Sequence, residues 1–483
     1  MLAAEPSVEL LLMLGLVILT LLSTNLLVLA LLRWLAPRRP LRPWALADAE
    51  LPDVLVQLPL YNEGELVERI LRAAMALDWP RDRLQVQVLD DSTDGSLEVS
   101  QRAVAAARRE GLHVELLHRT RRTAFKAGAL AEGLARSDAP YVAIFDADFL
   151  PPRDFLRRTV AVLAAEPGMA YVQARWAHVN RDESLLTRVQ ARLLDSHFRV
   201  EQEARWRLGL PVPFNGTCGL WRRAAIDDAG GWEGDTLTED LDLSLRARLR
   251  GWRSGYLLDL EVPGVLPVSV RAWRVQQFRW TKGFVQCFVK LMPRIWRGSE
   301  LPIWQRLMIS FQIGQPLAFV LGAGCLLLGL PFMAGTAVAG SGLGSIAVVA
   351  SVLGFAAPIA FLTSAGTGGG PRRTAVEVLG ALAFTSGLLL SNARGGLEAL
   401  LGYRTEFVRT PKTRAKGHPA RLRWRNGFLE LGTGLALLGF VLLEQPFAVI
   451  YLALLISGLV GVGVMQVFDG AAPSRLLGLR RGA

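Results

Sequence analysis

The run from Leu10 to Leu32 contains no Asp, Glu, Lys or Arg, and nothing else in the chain restricts its folding as strongly. About 20 apolar residues cross a bilayer as a helix, and lipid tolerates only helices and closed barrels. A cleaved leader is the competing reading. It fits poorly, because only Glu5 and Glu9 precede the run and the apolar stretch is too long. Arg33, Arg38, Arg39 and Arg42 follow, so the next segment is expected in the cytoplasm and the N-terminus outside. Composition agrees: 51% hydrophobic residues is too many for an ordinary soluble enzyme, and 20% charged is too many for membrane spans alone. The net charge of +11 gathers beside apolar runs, again at Arg475, Arg480 and Arg481, which suits anionic lipid and not nucleic acid. Cys218, Cys287 and Cys325 are odd in number and far apart, so no disulfide framework is indicated, and the histidines show no metal-ligand spacing.

From about Pro52 a soluble α/β alternation begins. Strands are expected at Val54–Leu58, Leu84–Leu89 and His113–Leu117, with helices at Leu66–Ala76 and Val99–Arg109 between them. Acids stand at the strand ends, as in Asn62-Glu63-Gly64 and Asp90-Asp91-Ser92, which predicts a mostly parallel sheet binding ligand at its carboxyl edge. No Gly-x-Gly-x-x-Gly follows the first strand, which argues against a dinucleotide-binding Rossmann domain, and polar acids there suit nucleotide hydroxyls and a base edge better than phosphates.

Tyr141 to Pro152 reads Tyr-Val-Ala-Ile-Phe-Asp-Ala-Asp-Phe-Leu-Pro-Pro: a short buried strand whose end carries Asp146 and Asp148. At strand spacing these carboxylates point the same way, roughly 6–7 Å apart, and can share a divalent cation that holds a diphosphate. A lone Asp-x-Asp is more often a solvated turn; the surrounding motifs reverse that judgement.

Asp90-Asp91-Ser92, Lys126-Ala127-Gly128-Ala129-Leu130, Asp146-Ala147-Asp148, Thr238-Glu239-Asp240 and Gln276-Gln277-Phe278-Arg279-Trp280 occur in that order. The set resembles the signature of family 2 inverting glycosyltransferases, in their membrane-embedded processive branch. Phe214-Asn215-Gly216-Thr217-Cys218-Gly219 and Gly230-Gly231-Trp232 make it more similar to the cellulose synthase-like A (mannan and glucomannan synthase) group than to bacterial cellulose synthases. The resemblance covers nearly the whole chain, from Val54 to about Arg425. It implies an α/β GT-A fold: a nucleotide-sugar-binding, mostly parallel sheet inserted between transmembrane α-helices.

The resemblance also implies roles. Asp90 or Asp91, with Glu63, would hold the nucleoside, and Lys126 the diphosphate. Asp148 with Asp146 would bind Mg²⁺ or Mn²⁺, ions that hard oxygen ligands favour over zinc. Asp240 would be the base that takes the acceptor proton, with Glu239 as runner-up and Asp242 a nearby decoy. Their structural alternative is an acid-rich first turn of a helix through Arg250. Gln276 and Arg279 would bind the donor, and Trp280 would stack on the acceptor sugar beside Asn215 and Gly216. The same aromatic segment also suits an amphipathic helix at a membrane surface.

C-terminal apolar runs lie at about 307–333, 344–364, 375–392, 427–444 and 446–467. Were all five to span, the basic segment Arg394–Arg425 would face outside, against the positive-inside rule. The 375–392 run is shortest and holds Glu377 and Asn392, so it is expected to lie along the inner interface. Phe407-Val408-Arg409-Thr410-Pro411-Lys412 resembles the Phe-x-Val-Thr-x-Lys gating loop of processive synthases, with Arg409 in place of valine; Thr410 and Lys412 would close over the donor. The expected organisation is an anchor and basic linker at 1–45, a cytoplasmic catalytic domain at 46–300, and a membrane domain at 301–483. The last contains an interface helix (375–403) and the gating-like loop (404–426).

Together these readings describe a multi-pass enzyme of the inner (plasma) membrane. It would use a nucleotide sugar (UDP-Glc, GDP-Man or GDP-Glc), extend a glycan with inversion and pass the polymer across the bilayer to cell-envelope or periplasmic export partners. A single-transfer lipid glycosyltransferase similar to ceramide glucosyltransferases is the alternative, with a lipid acceptor. A non-catalytic membrane scaffold is the remote third, since every acid of the set is present.

Overall fold

The uncharged N-terminal run is a single helix, α1 (Pro6–Leu35). A computed structural model gives the fold and describes residues 6–37, 41, 46–335, 342–403, 427–444 and 449–468. After α1 come β1 (Val54–Leu60), α2 (Gly64–Met75), β2 (Leu84–Asp90), α3 (Ser96–Arg109), β3 (His113–His118), α4 (Phe125–Leu134) and β4 (Tyr141–Ile144). The second half adds α5 (Phe155–Ala165), β5 (Met169–His178), α6 (Leu185–Ser196), a wide π turn at His197–Gln202, and α7 (Glu203–Arg207). It closes with β6 (Gly219–Arg222), α8 (Arg223–Asp228), α9 (Glu239–Leu249), β7 (Arg253–Gly264) and α10 (Val270–Arg297).

The strands form one seven-stranded sheet in the order β3-β2-β1-β4-β6-β5-β7. β1, β2, β3 and β4 run parallel, β6 is antiparallel to both β4 and β5, and β5 is parallel to β7. Both faces are covered, which is why β1 and β4 read as continuous apolar runs and not as alternations. On one face Val54, Val56 and Leu58 meet Val67, Ile70, Leu71 and Ala74 of α2, whose spacing makes one helical stripe. On the other, Leu55, Val142 and Ile144 meet Leu130 and Leu134 of α4, with Phe214 and Trp221. The parallel strands end side by side, and that edge carries Asp90 and, one loop beyond β4, Asp146.

The C-terminal helices are α11 (Ile303–Gly314), α12 (Leu317–Gly335), α13 (Gly342–Thr363), α14 (Gly370–Gly387), α15 (Leu389–Leu400), α16 (Phe428–Glu444) and α17 (Val449–Phe468). Among the described residues one helix, Ser7–Leu35, is long and apolar enough to cross a bilayer, or up to three if each bent pair counts as one span. The single run expected at 307–333 is in fact two helices meeting at 63°. Pro316 explains the break: it offers no N–H to the preceding turn and its ring crowds the chain before it. The 375–392 run likewise divides between α14 and α15, bent by 52°. Both halves dock on the α/β domain. Glu377 of α14, fully buried, takes Arg192 of α6 at 2.6 Å, and Glu398 of α15 takes Lys282 of α10 at 2.9 Å. Arg274 of α10 reaches Gln466 of α17 at 2.6 Å and Glu430 of α16 at 3.4 Å. Where α14 crosses α17 the backbones nearly touch, because a Cβ on Gly458 would lie 2.0 Å from the Ala383 carbonyl.

Candidate active site

The carboxyl edge of the sheet opens into a cleft of about 210 Å³. Glu63, Asp91, Lys126, Asp146, Asp148, Asn215, Gly216, Glu239, Asp240, Gln276, Arg279 and Trp280 all line it, so nearly the whole expected set converges. Thr410 and Lys412 lie outside the described residues.

Asp90 departs from the set. It is fully buried, its carboxylate accepts from the Ser92 N–H at 2.8 Å and from the Ser100 hydroxyl, and it does not line the cleft. It shapes the turn that presents Asp91. Asp91 accepts Arg119 through both oxygens, Nε at 2.8 Å and Nη2 at 2.5 Å. The Arg122 guanidinium lies 3.3 Å over the Tyr61 ring, and both residues line this end of the cleft. Sequence reasoning passed over Arg119, Arg122 and Tyr61. Only Tyr61 carried a signal, standing directly before Asn62-Glu63 at the end of β1.

Lys126 follows a sharp turn in which Ala124 (φ 57) and Phe125 (φ 47) both adopt the left-handed region. Two such residues in sequence are costly and mark a turn held by its surroundings. Arg119 does part of that holding, donating to the Thr123 carbonyl at 3.1 Å and the Phe125 carbonyl at 2.7 Å. Lys126 Nζ then meets Asp146 Oδ1 at 2.5 Å and the Gly216 carbonyl at 2.9 Å. Burial works against its charge, but Asp146, Glu239 and Asp240 outweigh that and hold the ammonium well above its ordinary pKa.

Glu239 and Asp240 open α9, and the Leu241 N–H donates to Asp240 Oδ1 at 2.8 Å. Burial first, and the Glu239 charge second, push the Asp240 carboxyl up to about 7, while Leu241 and Lys126 pull the other way. Glu239 is raised as well, by burial against the pull of Lys126. Gly216 (φ +78) faces this carboxyl so closely that an added Cβ would lie 2.8 Å from Asp240 Oδ2. Arg279, buried beside Glu239, Asp146 and Asp240, is lowered to about 10 by desolvation that these acids only partly offset. Asp242 is turned away and neutralised by Arg246 at 2.7 Å and Lys290 at 3.0 Å. Its cluster with Glu233 and Asp235 is filled by the same Lys290 ammonium, at 2.6 and 2.7 Å, so those acids already have their cation.

Asp146 and Asp148 fit a hard divalent ion. Both line the cleft, the donors are carboxylate oxygens, and Asp146 already accepts a cation, Lys126, from the cleft side. The nearby Thr217 hydroxyl accepts the Asp146 N–H at 2.9 Å and fixes the turn. Cys218 (φ +61) is wholly buried and packs in the core.

Residues 52–283 match the family described as glycosyltransferase like family 2. Glucomannan 4-beta-mannosyltransferase 2 of Arabidopsis thaliana is 46% identical over 272 residues, covering 55% of this chain and 51% of that protein. Probable glucomannan 4-beta-mannosyltransferase 9 of Oryza sativa subsp. japonica is 44% identical over 57% of this chain and 54% of its own length. The chain thus spans about half the length of the curated relatives it matches. Among solved structures, the mannosyltransferase PcManGT of Pyrobaculum calidifontis, in complex with GDP-Man and Mn²⁺, superposes with a TM-score of 0.55 at 24% identity. That alignment covers 80% of this chain and 99% of PcManGT, and establishes the GT-A-like mixed sheet. Residues 52–283 are thus similar to a family 2 glycosyltransferase domain, and the curated relatives matched at 42–46% identity are glucomannan 4-beta-mannosyltransferases.

Proposed function

We propose that the protein is a membrane-integrated, metal-dependent glycosyltransferase that moves a hexose from a nucleotide sugar to a growing β-linked polysaccharide with inversion. The observation that carries this is the pairing of Asp240, raised to about 7, with the Lys126–Asp146 pair across Gly216. A base poised near neutrality beside an anion-binding cation and a metal-suited carboxylate pair is what displacement at an anomeric carbon requires. Asp240 takes the proton of the attacking hydroxyl. Lys126 and Arg279 hold the diphosphate, and Asp91 with Tyr61 and Arg122 hold the nucleoside end. A divalent ion on Asp146 and Asp148, when bound, neutralises the leaving diphosphate. Trp280 offers a face for the acceptor ring. The relatives' names favour mannosyl transfer among the candidate donors.

The reading extends to topology. α12 and α13 would cross outward and back, α14–α15 would lie at the inner face, and α16 and α17 would cross again. The Glu377, Glu398 and Glu430 contacts to the α/β domain, and the Arg33 contact to the Ser364 carbonyl, support that order. Three units follow: an anchor over 1–45, the catalytic domain over 46–300 and the membrane part over 301–483.

The test uses full-length protein in lipid vesicles given GDP-Man, GDP-Glc or UDP-Glc singly with Mn²⁺ or Mg²⁺. Polymer digested by a matching β-glycanase is expected, with Asp240→Asn at least about 10²-fold slower. An organic-extractable monoglycosyl lipid as sole product would replace this reading with the lipid-directed one.

A further inference from the structure

The loop Phe214–Cys218 meets three groups of the cleft, Lys126, Asp146 and Asp240. Its Gly216 carbonyl accepts Lys126, its Thr217 hydroxyl accepts the Asp146 N–H, and its Gly216 Cα faces Asp240. The placement of this loop therefore fixes the spacing of cation, acid and base. Two side chains hold it. Gln173 of β5, fully buried, accepts the Asn215 N–H at 3.0 Å and donates to the Thr217 carbonyl at 3.0 Å. The second is His197.

His197 opens the π turn between α6 and α7. Such turns carry one residue more than an α-turn, cost stability, and recur where a side chain must be aimed. Nδ1 of His197 lies 2.8 Å from Glu201 Oε2, and Nε2 lies 3.1 Å from Asn215 Oδ1. The Asn215 amide cannot be turned over, because its Nδ2 donates to the Pro213 carbonyl at 3.2 Å and an oxygen there would face only lone pairs. Asn215 Oδ1 is thus an acceptor, and the imidazole Nε2 donates to it. Glu201 is in turn held by Arg205 at 3.0 Å, and that arginine is wholly buried. Burial would raise Glu201, but His197 and Arg205 outweigh it and hold the carboxyl at about 2. The Gln202 amide also meets Nε2, at 2.9 Å, and its Oε1 has no other partner among the described residues. Turning that amide gives Oε1 the same N–H.

We propose that His197 is a positioning residue for glycosyl transfer: from the π turn it orients Asn215 and so sets the Gly216 contact to Lys126 and Asp240. It does not line the cleft and touches no reacting atom. The proposal rests on the transferase reading above.

The test is a double-mutant cycle in full-length protein in vesicles, with GDP-Man and Mn²⁺ and then UDP-Glc as probes. His197→Phe keeps a ring and loses all three polar contacts of the imidazole, to Glu201, Asn215 and Gln202. It should lower kcat about tenfold or more and leave donor KM within about twofold, the scale of losing one orienting contact. His197→Gln keeps one donor for Asn215 and should recover most of the rate; it also carries the test should the phenylalanine variant not fold. Because His197 acts through Asn215, His197→Phe combined with Asn215→Ala should be no slower than Asn215→Ala alone. Multiplying effects, or an unchanged kcat in His197→Phe, would overturn the proposal. A wild type inactive with every donor would instead overturn the transferase reading, and this proposal with it.

Discussion

The pH profile of transfer tests the electrostatics of the cleft directly. Asp240 rises from 3.8 to about 7, so its ionised form is disfavoured below neutral pH. Burial is the first cause and the Glu239 charge the second, while Lys126 opposes both. A base must be ionised to accept a proton, so kcat/KM should rise with pH through about 7 and fall away below it. At an effective dielectric of about 20, a unit charge about 6 Å away is worth about 3 kcal/mol, or about two units. The cleft is partly open to water, so about one unit is the working figure. Glu239→Gln removes a like charge and should move the acid limb down by about one unit. Lys126→Met removes an opposite charge and should move it up by a similar amount, besides slowing the reaction. The assay is initial-rate incorporation of labelled sugar in vesicles between about pH 5.5 and 9. Two limbs that stay put, or that move the same way, would refute Asp240 as the group whose ionisation is seen.

Chelation with EDTA should abolish transfer and Mn²⁺ or Mg²⁺ should restore it; full activity in EDTA would remove the metal role from Asp146 and Asp148. Glu377→Ala leaves Arg192 buried without its acid and should destabilise the protein by about 3–5 kcal/mol, read as a lowered Tm in detergent. Replacing both Glu377 and Arg192 with methionine should recover much of that loss. A cysteine at Thr405, which lies outside the described residues, should be labelled only from the cytoplasmic side; labelling from outside would mean that α14–α15 crosses.

Much of the site was legible because its residues do what their sequence neighbourhoods announce. Tyr141–Ile144 could only be a buried strand, and the acids after it had to emerge at the sheet edge. Glu239 and Asp240 open a helix directly after a turn, which aims them at the same edge. The choice between Asp90 and Asp91 was not legible. Adjacent residues at a strand end face opposite ways, and only the Ser92 and Ser100 contacts decide which one turns inward. Arg119 and Arg122 were hidden by number: among 54 lysines and arginines a loop arginine carries no mark until its partner is known. The break at Pro316 was readable, since proline in an apolar run removes a backbone donor, but hydropathy averaged over the run conceals it. The π turn leaves no periodic signature in six residues, so His197 had no signal at all.

The acids of the C-terminal helices explain how the cleft and those helices stay in register. A carboxylate in an apolar helix is expensive unless it is paired, and Glu377, Glu398 and Glu430 each find a cation on the α/β domain. Two of those cations sit on one helix. Arg274 precedes Gln276 by two residues and Lys282 follows Trp280 by two, so the stretch of α10 that lines the cleft is fastened at both flanks. One flank is tied to α16 and α17, the other to α15. A hinge between the acceptor end and the helices would let a growing chain lose alignment after each addition, and a released lipid product would be indifferent to it. Fastening α10 on both sides of Trp280 removes that hinge. The same ion pairs that hold α14 and α15 to the α/β domain therefore suit the proposed processive reading better than the single-transfer one.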